Sequence, residues 1–298
     1  KNWILFLVIV NECVRERHFH YAVMAIAASV ATNVCVAFLQ FLLKRDLGLQ
    51  ALGEASPEST AGANFGVYGS LDGVHPLGGG AGHANLLSAY LAMVLPILIG
   101  QMYTNYRWPA KTLLALLAAA GAAALGMTLS RSGWVAFAVS LSLLMLALVA
   151  LPGIRMRHVA LKVSMVAAMA GAAVAGSGPV LRRFLQSDSG AVDFRLEWVK
   201  IAWEMVQDKP ILGFGLNSFV YHLEHYAPYS PARMYELFGD MLPAVHNTYM
   251  LVWSEQGTVG LFLFLGMHAQ LFWIAIKMLR YGGPSERVSM VGIAGAGG

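Results

Sequence analysis

The strongest constraint on this chain is the recurrence of apolar runs about 20 residues long, the length an α-helix needs to cross a bilayer's hydrocarbon core. Such runs occupy 21–43, 86–103, 112–129, 133–151 and 159–176, and a sixth at 258–276 is interrupted only by His268 and Gln270. Residues 3–14 read as the tail of another span and 288–298 as the start of one. The first five runs hold no Asp or Glu, and only 12% of the 298 residues are charged. A soluble domain carries about 25%. So little polar surface cannot wet a globule, so lipid is part of the solvent. The expected fold is all-α: a polytopic transmembrane helical bundle of about six full spans and a partial one, forming a single transmembrane domain over 1–298.

Charge placement orients the bundle. One set of alternate connections carries Arg15 and Arg17, Arg107 and Lys111, Arg155, Arg157 and Lys162, then Lys277, Arg280 and Arg287, with only Glu16 and Glu286 among them. The opposite set is 44–85, the tight link 130–132 and the segment 177–245, where nine basic residues are spread beside twelve acids. Short loops rich in Lys and Arg stay cytoplasmic. The loop 44–85 and the large cap loop 177–245 then face the periplasm or the cell exterior.

The first of these loops is rich in Gly, Ser and Pro and reads as irregular. The second carries helical periodicity: in Asp193–Asp208, Leu196, Val199, Trp203 and Val206 recur on one face, with Asp193 as N-cap and Lys209-Pro210 as stop. Gly213-Phe-Gly215 turns the chain into a second short helix at about 216–226. The expectation is a small helical cap on the membrane surface. The net charge of +4 does not imply a nucleic-acid partner, because the basic residues sit in short clusters beside apolar runs. Cys13 and Cys35 lie in apolar stretches and read as small packing residues rather than a disulfide framework.

A few polar residues at the outer edges of spans stand out. Arg131, in Leu129-Ser-Arg-Ser-Gly-Trp134, falls between two apolar runs with almost no loop. It reads either as an interface anchor beside Trp134 or as an anion site, with Ser130 and Ser132 adding hydroxyls at a helix start. Arg195 falls in the first turn of the expected cap helix, where a cation is disfavoured. It either pairs with Asp193 or Glu197 at the surface or supplies a second guanidinium to the same anion. His246, in Val245-His-Asn-Thr-Tyr249, marks the re-entry into the membrane and is either an interfacial residue or a general base, with Asn247 beside it to orient a substrate. His83 and Asn85 follow a glycine-rich stretch and read as a re-entry turn with an Asn cap or as substrate contacts. No metal site is expected: His222 and His225 stand at i,i+3, but no Cys or acid joins them at a diagnostic spacing.

Four stretches in order give the chain a family resemblance. They are Gly82-His-Ala-Asn-Leu-Leu-Ser-Ala-Tyr90, Leu129-Ser-Arg-Ser-Gly-Trp134, Arg195-Leu-Glu-Trp198 running on to Pro210-Ile-Leu-Gly-Phe-Gly215, and His246-Asn-Thr-Tyr249 followed by Glu255-Gln-Gly257 and Gly260-Leu261. With a large outer loop between the last two, the chain resembles the O-antigen ligase and polymerase superfamily of bacterial membrane glycosyltransferases. The resemblance implies a bundle of about a dozen helices, of which this chain would be a fragment, with a periplasmic cap in the bacterial inner membrane. It implies an undecaprenyl-diphosphate-linked glycan donor and an acceptor hydroxyl on lipid A-core, on another glycan or on a protein. It also implies an inverting, metal-independent reaction that needs no cofactor. By motif, Arg131 and Arg195 would bind the diphosphate and His246 would activate the acceptor, with Ser130, His83, Asn85 and Asn247 near the substrate. Ala84 stands where the family's early His is followed by Pro. Ligase and polymerase both remain open, as does a membrane transporter, although transporters more often carry ionisable residues inside their spans or matched broken helices.

Overall fold

The computed structural model describes residues 16–43, 47–49, 84–103, 106–150, 189–227, 245 and 247–281. Among them the chain is entirely helical: α1 (Glu16–Leu43), α2 (Ala84–Gln101), α3 (Trp108–Met127), α4 (Arg131–Ala150), α5 (Ser189–Asp208), α6 (Phe219–Tyr226) and α7 (Thr248–Tyr281). Among the described residues four segments are long and apolar enough to cross a membrane: His20–Leu43, Ala84–Gln101, Trp108–Met127 and Thr248–Ile274. The run at 133–151 is helical as α4, and those at 3–14, 159–176 and 288–298 lie outside the described residues. The chain divides into two compact units, one of 1–60, 70–185 and 277–298 and the other of 61–69 with 186–276.

In the first unit the helices alternate in direction. At one end His20 Nδ1 and Tyr106 Oη are hydrogen-bonded at 2.8 Å, joining the start of α1 to the connection between α2 and α3. Helix α3 starts where Arg107 is extended and Pro109 occupies the first turn, where its missing N–H costs nothing. Its 20 residues carry the chain about 30 Å to the other end. The core of this unit is Val30, Val34, Leu87, Leu91, Leu95, Leu98, Ile99, Ala118, Leu125 and Leu144 with their neighbours. Two glycines set the approach of the helices: a Cβ on Gly121 would meet Leu95 Cδ2 at 2.5 Å, and one on Gly133 would meet Ser88 Cβ at 2.5 Å. Close packing across small residues is what joins helices when lipid gives no hydrophobic drive.

The second unit holds the cap. Helix α5 starts at Ser189, so Asp193 lies inside it and is not its N-cap, and Arg195 belongs to the second turn rather than the first. The cost of a cation at a helix start therefore does not bear on Arg195. The stop at Lys209-Pro210 is as expected, and the second helix begins at Phe219. Helix α5 buries Trp198, Ile201, Ala202, Met205 and Val206, whereas Leu196 and Trp203 stay exposed. The inward face is thus rotated from the expected Leu196/Val199/Trp203/Val206 stripe. The buried residues pack with Phe219, Leu223 and Val245, and the Trp198 and Phe219 rings meet edge to face at 6.5 Å.

Helix α7 begins ten residues before the apolar run at 258–276 and breaks at Gly257, whose φ of 65° and ψ of −170° are open to glycine. The segment after α5 fills this break. Thr258 N–H donates to Pro210 C=O (2.8 Å), Val259 N–H to Ile211 C=O (3.3 Å), Phe214 N–H to Ser254 C=O (3.2 Å) and Gly215 N–H to Glu255 C=O (2.7 Å). Within the apolar helix His268 is satisfied locally, its Nδ1 lying 2.8 Å from the Phe264 carbonyl.

Candidate functional site

Arg131 opens α4 at a corner built from its neighbours. Thr128 Oγ1 donates to Leu125 C=O at 2.7 Å and accepts from Ser130 N–H at 3.3 Å, while Leu129 takes a left-handed φ of 56°. Trp134 locks the corner from the far side, its Nε1–H donating to Leu125 C=O at 3.0 Å and its backbone N–H to Ser130 C=O at 3.1 Å. Ser130 is buried and its hydroxyl lies 3.2 Å from that of exposed Ser132. The α3–α4 corner is therefore rigid, and Arg131 is held at its rim, partly exposed.

The first turn of α2 meets that corner. Ser88, whose hydroxyl donates to Asn85 C=O at 2.8 Å, is the residue against which Gly133 packs. Asn85 and Arg131 therefore stand at the same end of the unit, on adjacent helices whose N-termini both point that way. The positive dipole ends of two neighbouring helices, with a guanidinium beside them, make this end attractive to an anion. Helix α2 starts at Ala84, so Asn85 lies in the first turn rather than ahead of it as a cap. His83 lies outside the described residues.

In the other unit Arg195 is exposed on α5. It stands three residues before Trp198 and seven before Ala202, so it continues the buried face one turn past the end of the packed cluster. Asn247 is spoken for at the start of α7: its Oδ1 accepts Met250 N–H at 3.1 Å and its C=O accepts Leu251 N–H at 2.9 Å. His246 lies outside the described residues, between Asn247 and Val245, which is fully buried in the cap core. Arg131 thus belongs to one unit and Arg195 and Asn247 to the other.

Glu255 is a residue whose part the sequence reading did not assign. Its carboxylate is buried at 7% exposure, with one oxygen accepting Asn217 N–H at 2.9 Å and the other Phe219 N–H at 3.0 Å. It caps α6 from 36 residues away, satisfying donors that a helix start leaves orphaned. Asn217, in the left-handed region at φ 58°, presents its N–H to this carboxylate. The available signal was a lone acid in the stretch 248–276. At the far end of α5 Tyr226 Oη donates to Asp208 at 2.5 Å, and burial first, then the Asp208 carboxylate, pushes the phenol up to about 12.

No curated protein and no solved structure matches the chain. A model of the O-antigen ligase family does match, over residues 113–265. The matched stretch includes Arg131, Arg195 and His246, and runs from α3 through the corner and the cap to the apolar part of α7. It covers just over half of the 298 residues, and the chain accordingly belongs to the O-antigen ligase family, whose members are glycosyltransferase-type membrane enzymes.

Proposed function

We propose that this chain transfers a glycan from undecaprenyl diphosphate to an acceptor hydroxyl at the periplasmic face of the bacterial inner membrane. The observation that carries this reading is the rigid corner at Arg131, beside a second helix start, inside the stretch matched to the ligase family. Arg131 and Arg195 each bind the donor diphosphate in this reading. His246 takes the proton from the acceptor hydroxyl. The freed oxygen attacks the anomeric carbon from the side opposite the diphosphate, the bond from that carbon to the diphosphate oxygen breaks, and the configuration inverts. Negative charge grows on the leaving diphosphate, where a guanidinium already in position lowers the barrier. Asn85 and Ser132 line the approach to the anion, Ser130 holds Ser132, and His83 and the amide nitrogen of Asn247 are left to contact sugar hydroxyls.

Purified protein, a polyprenyl-diphosphate glycan and a panel of acceptors test this, with transfer read by mass. Arg131→Ala and Arg195→Ala are each expected to lower the rate about 100- to 1000-fold, as loss of a preorganised donor does elsewhere. The size-exclusion profile stays unchanged, and EDTA has no effect. Near-normal transfer by either variant removes the diphosphate clamp. The acceptor that gains sugar assigns the subclass: lipid A-core or a protein marks a ligase, and another repeat unit marks a polymerase. Solute uptake into proteoliposomes without donor turnover would instead mark a transporter.

A further inference from the structure

The cap carries exposed apolar side chains that its own core does not use. Ile211 is 66% exposed, Leu212 73% and Leu216 76%, and the rotated face of α5 leaves Leu196 and Trp203 outside as well. Where these residues lie relative to a bilayer follows from what the loop is tied to. The apolar segment Thr248–Ile274 has 27 residues and is about 40 Å long, against a hydrocarbon core of about 30 Å. Roughly seven residues at its head are therefore surplus to the crossing. Glu255, the one acid in 248–276, cannot lie among acyl chains as an isolated charge, and it falls at that limit. The helix breaks two residues later, at Gly257, and the apolar run begins at Thr258.

The segment Pro210–Gly215 is bonded to α7 at this level, on both sides of the break. Irregular backbone is excluded from the hydrocarbon unless its polar groups are satisfied within the protein. Here the bonds to Ser254, Glu255, Thr258 and Val259 consume Pro210, Ile211, Phe214 and Gly215 backbone groups and leave the Ile211 and Leu212 side chains outward. Beside them Trp203 and Trp253 meet edge to face at 5.4 Å, and Trp253 Nε1–H donates to Thr258 Oγ1 at 3.1 Å. Paired indoles with a satisfied N–H are at home where one end of a side chain is wet and the other is not.

We propose that the 209–216 loop, with Trp203 and Trp253, is an interfacial anchor whose Ile211 and Leu212 side chains enter the lipid beside the head of α7. The occupant of this apolar surface is the acyl-chain region of the adjoining leaflet, because α7 continues into the bilayer from the residues that hold the loop. The anchor rests on α7 crossing the membrane and not on the transfer reaction. It fixes the depth of the cap from the side of α7, so that α5 and α6 are carried at a set height above the lipid.

Site-directed spin labels on the full chain in nanodiscs test the anchor, with Cys13 and Cys35 first replaced by Ser. Labels go singly at Leu212→Cys, at Ile211→Cys, at Leu263→Cys in the apolar run and at Lys200→Cys on the outer face of α5. Collision rates with oxygen, which concentrates in lipid, and with a water-soluble nickel chelate are compared at each site. The expected result is an oxygen-to-nickel ratio at 211 and 212 several-fold above that at 200 and approaching that at 263. A ratio matching 200 at both positions places the loop in water and overturns the proposal. Shielding from both reagents means protein covers the loop, and overturns it equally. Labelled proteins are taken forward only with an unchanged size-exclusion profile, and the second position guards against a label that disturbs the clasp at the first.

Discussion

The glycines that join α2 to α3 and α4 press on side chains, whereas those that join the cap to α7 press on backbone. A Cβ at Gly121 would run into Leu95 Cδ2, at the end of a side chain, and one at Gly133 into Ser88 Cβ and Oγ. A Cβ at Gly213 would lie 2.5 Å from the Glu255 carbonyl, and one at Gly257 only 2.2 Å from the Ile211 oxygen. The bundle is assembled by surfaces that slide close together, and small residues make that contact dense. The cap is fastened instead at fixed bonds, where neither partner has a rotamer to give. The Leu95 methyl beside Gly121 can adjust, and the main-chain atoms beside Gly213 and Gly257 cannot.

Substitution at the two kinds of glycine gives the largest contrast. Gly257→Ala combines a left-handed backbone with contact to main-chain atoms, and is expected to destabilise the cap by about 3 kcal/mol, from the strain of that conformation and overpacking together. Tryptic cleavage at Arg195 and Lys200, both exposed on α5, followed against temperature in detergent, reads the cap. A wild-type cleavage profile would show that the clasp is looser than its bonds imply. Next comes Glu255→Gln, which turns one acceptor into an NH2 facing a backbone N–H. With a buried donor left unsatisfied, the loss is about 1–3 kcal/mol by the same assay. Gly121→Ala is expected to cost under about 1.5 kcal/mol in global thermal unfolding, since Leu95 can turn its methyl aside. A loss as large as that at Gly257 would erase the distinction between the two regions.

The smallest effect concerns pH. The Tyr226 phenol is raised from 10.0 to about 12 in the folded cap, so its contribution is whole below pH 10 and fades as pH climbs towards 12. Tyr226→Phe should flatten that alkaline decline in cap stability while leaving the bundle's melting unchanged. A decline of equal steepness in the variant would assign it to other groups.

The four candidate spans among the described residues and the corner at Arg131 were legible because each is a local pattern: a run of apolar residues, and an arginine in a link too short to carry it away. The inward face of α5 was not. Leu196, Val199 and Trp203 form one apolar stripe, and Trp198, Ile201, Ala202 and Met205 form another beside it. Periodicity finds both and has no means of choosing which meets the core. Asp193 offered a cap chemistry that the chain bypasses, since Ser189–Val192 continue the helix upstream. The clasp at Gly257 was hidden for a different reason. Its bonds are main chain to main chain between segments 40 or more residues apart, and such bonds leave no side-chain pattern beyond isolated glycines.

The carboxylate of Glu255 also orders the events of synthesis. Asn217 and Phe219 leave the ribosome well ahead of the residue that receives their N–H groups. Until α7 has entered the translocon, the short helix has no cap and the loop before it lacks the backbone it bonds to. Completion of the α5–α6 fold is thereby made to wait for insertion of the last described helix, and a chain stalled before that point carries its second unit unfinished.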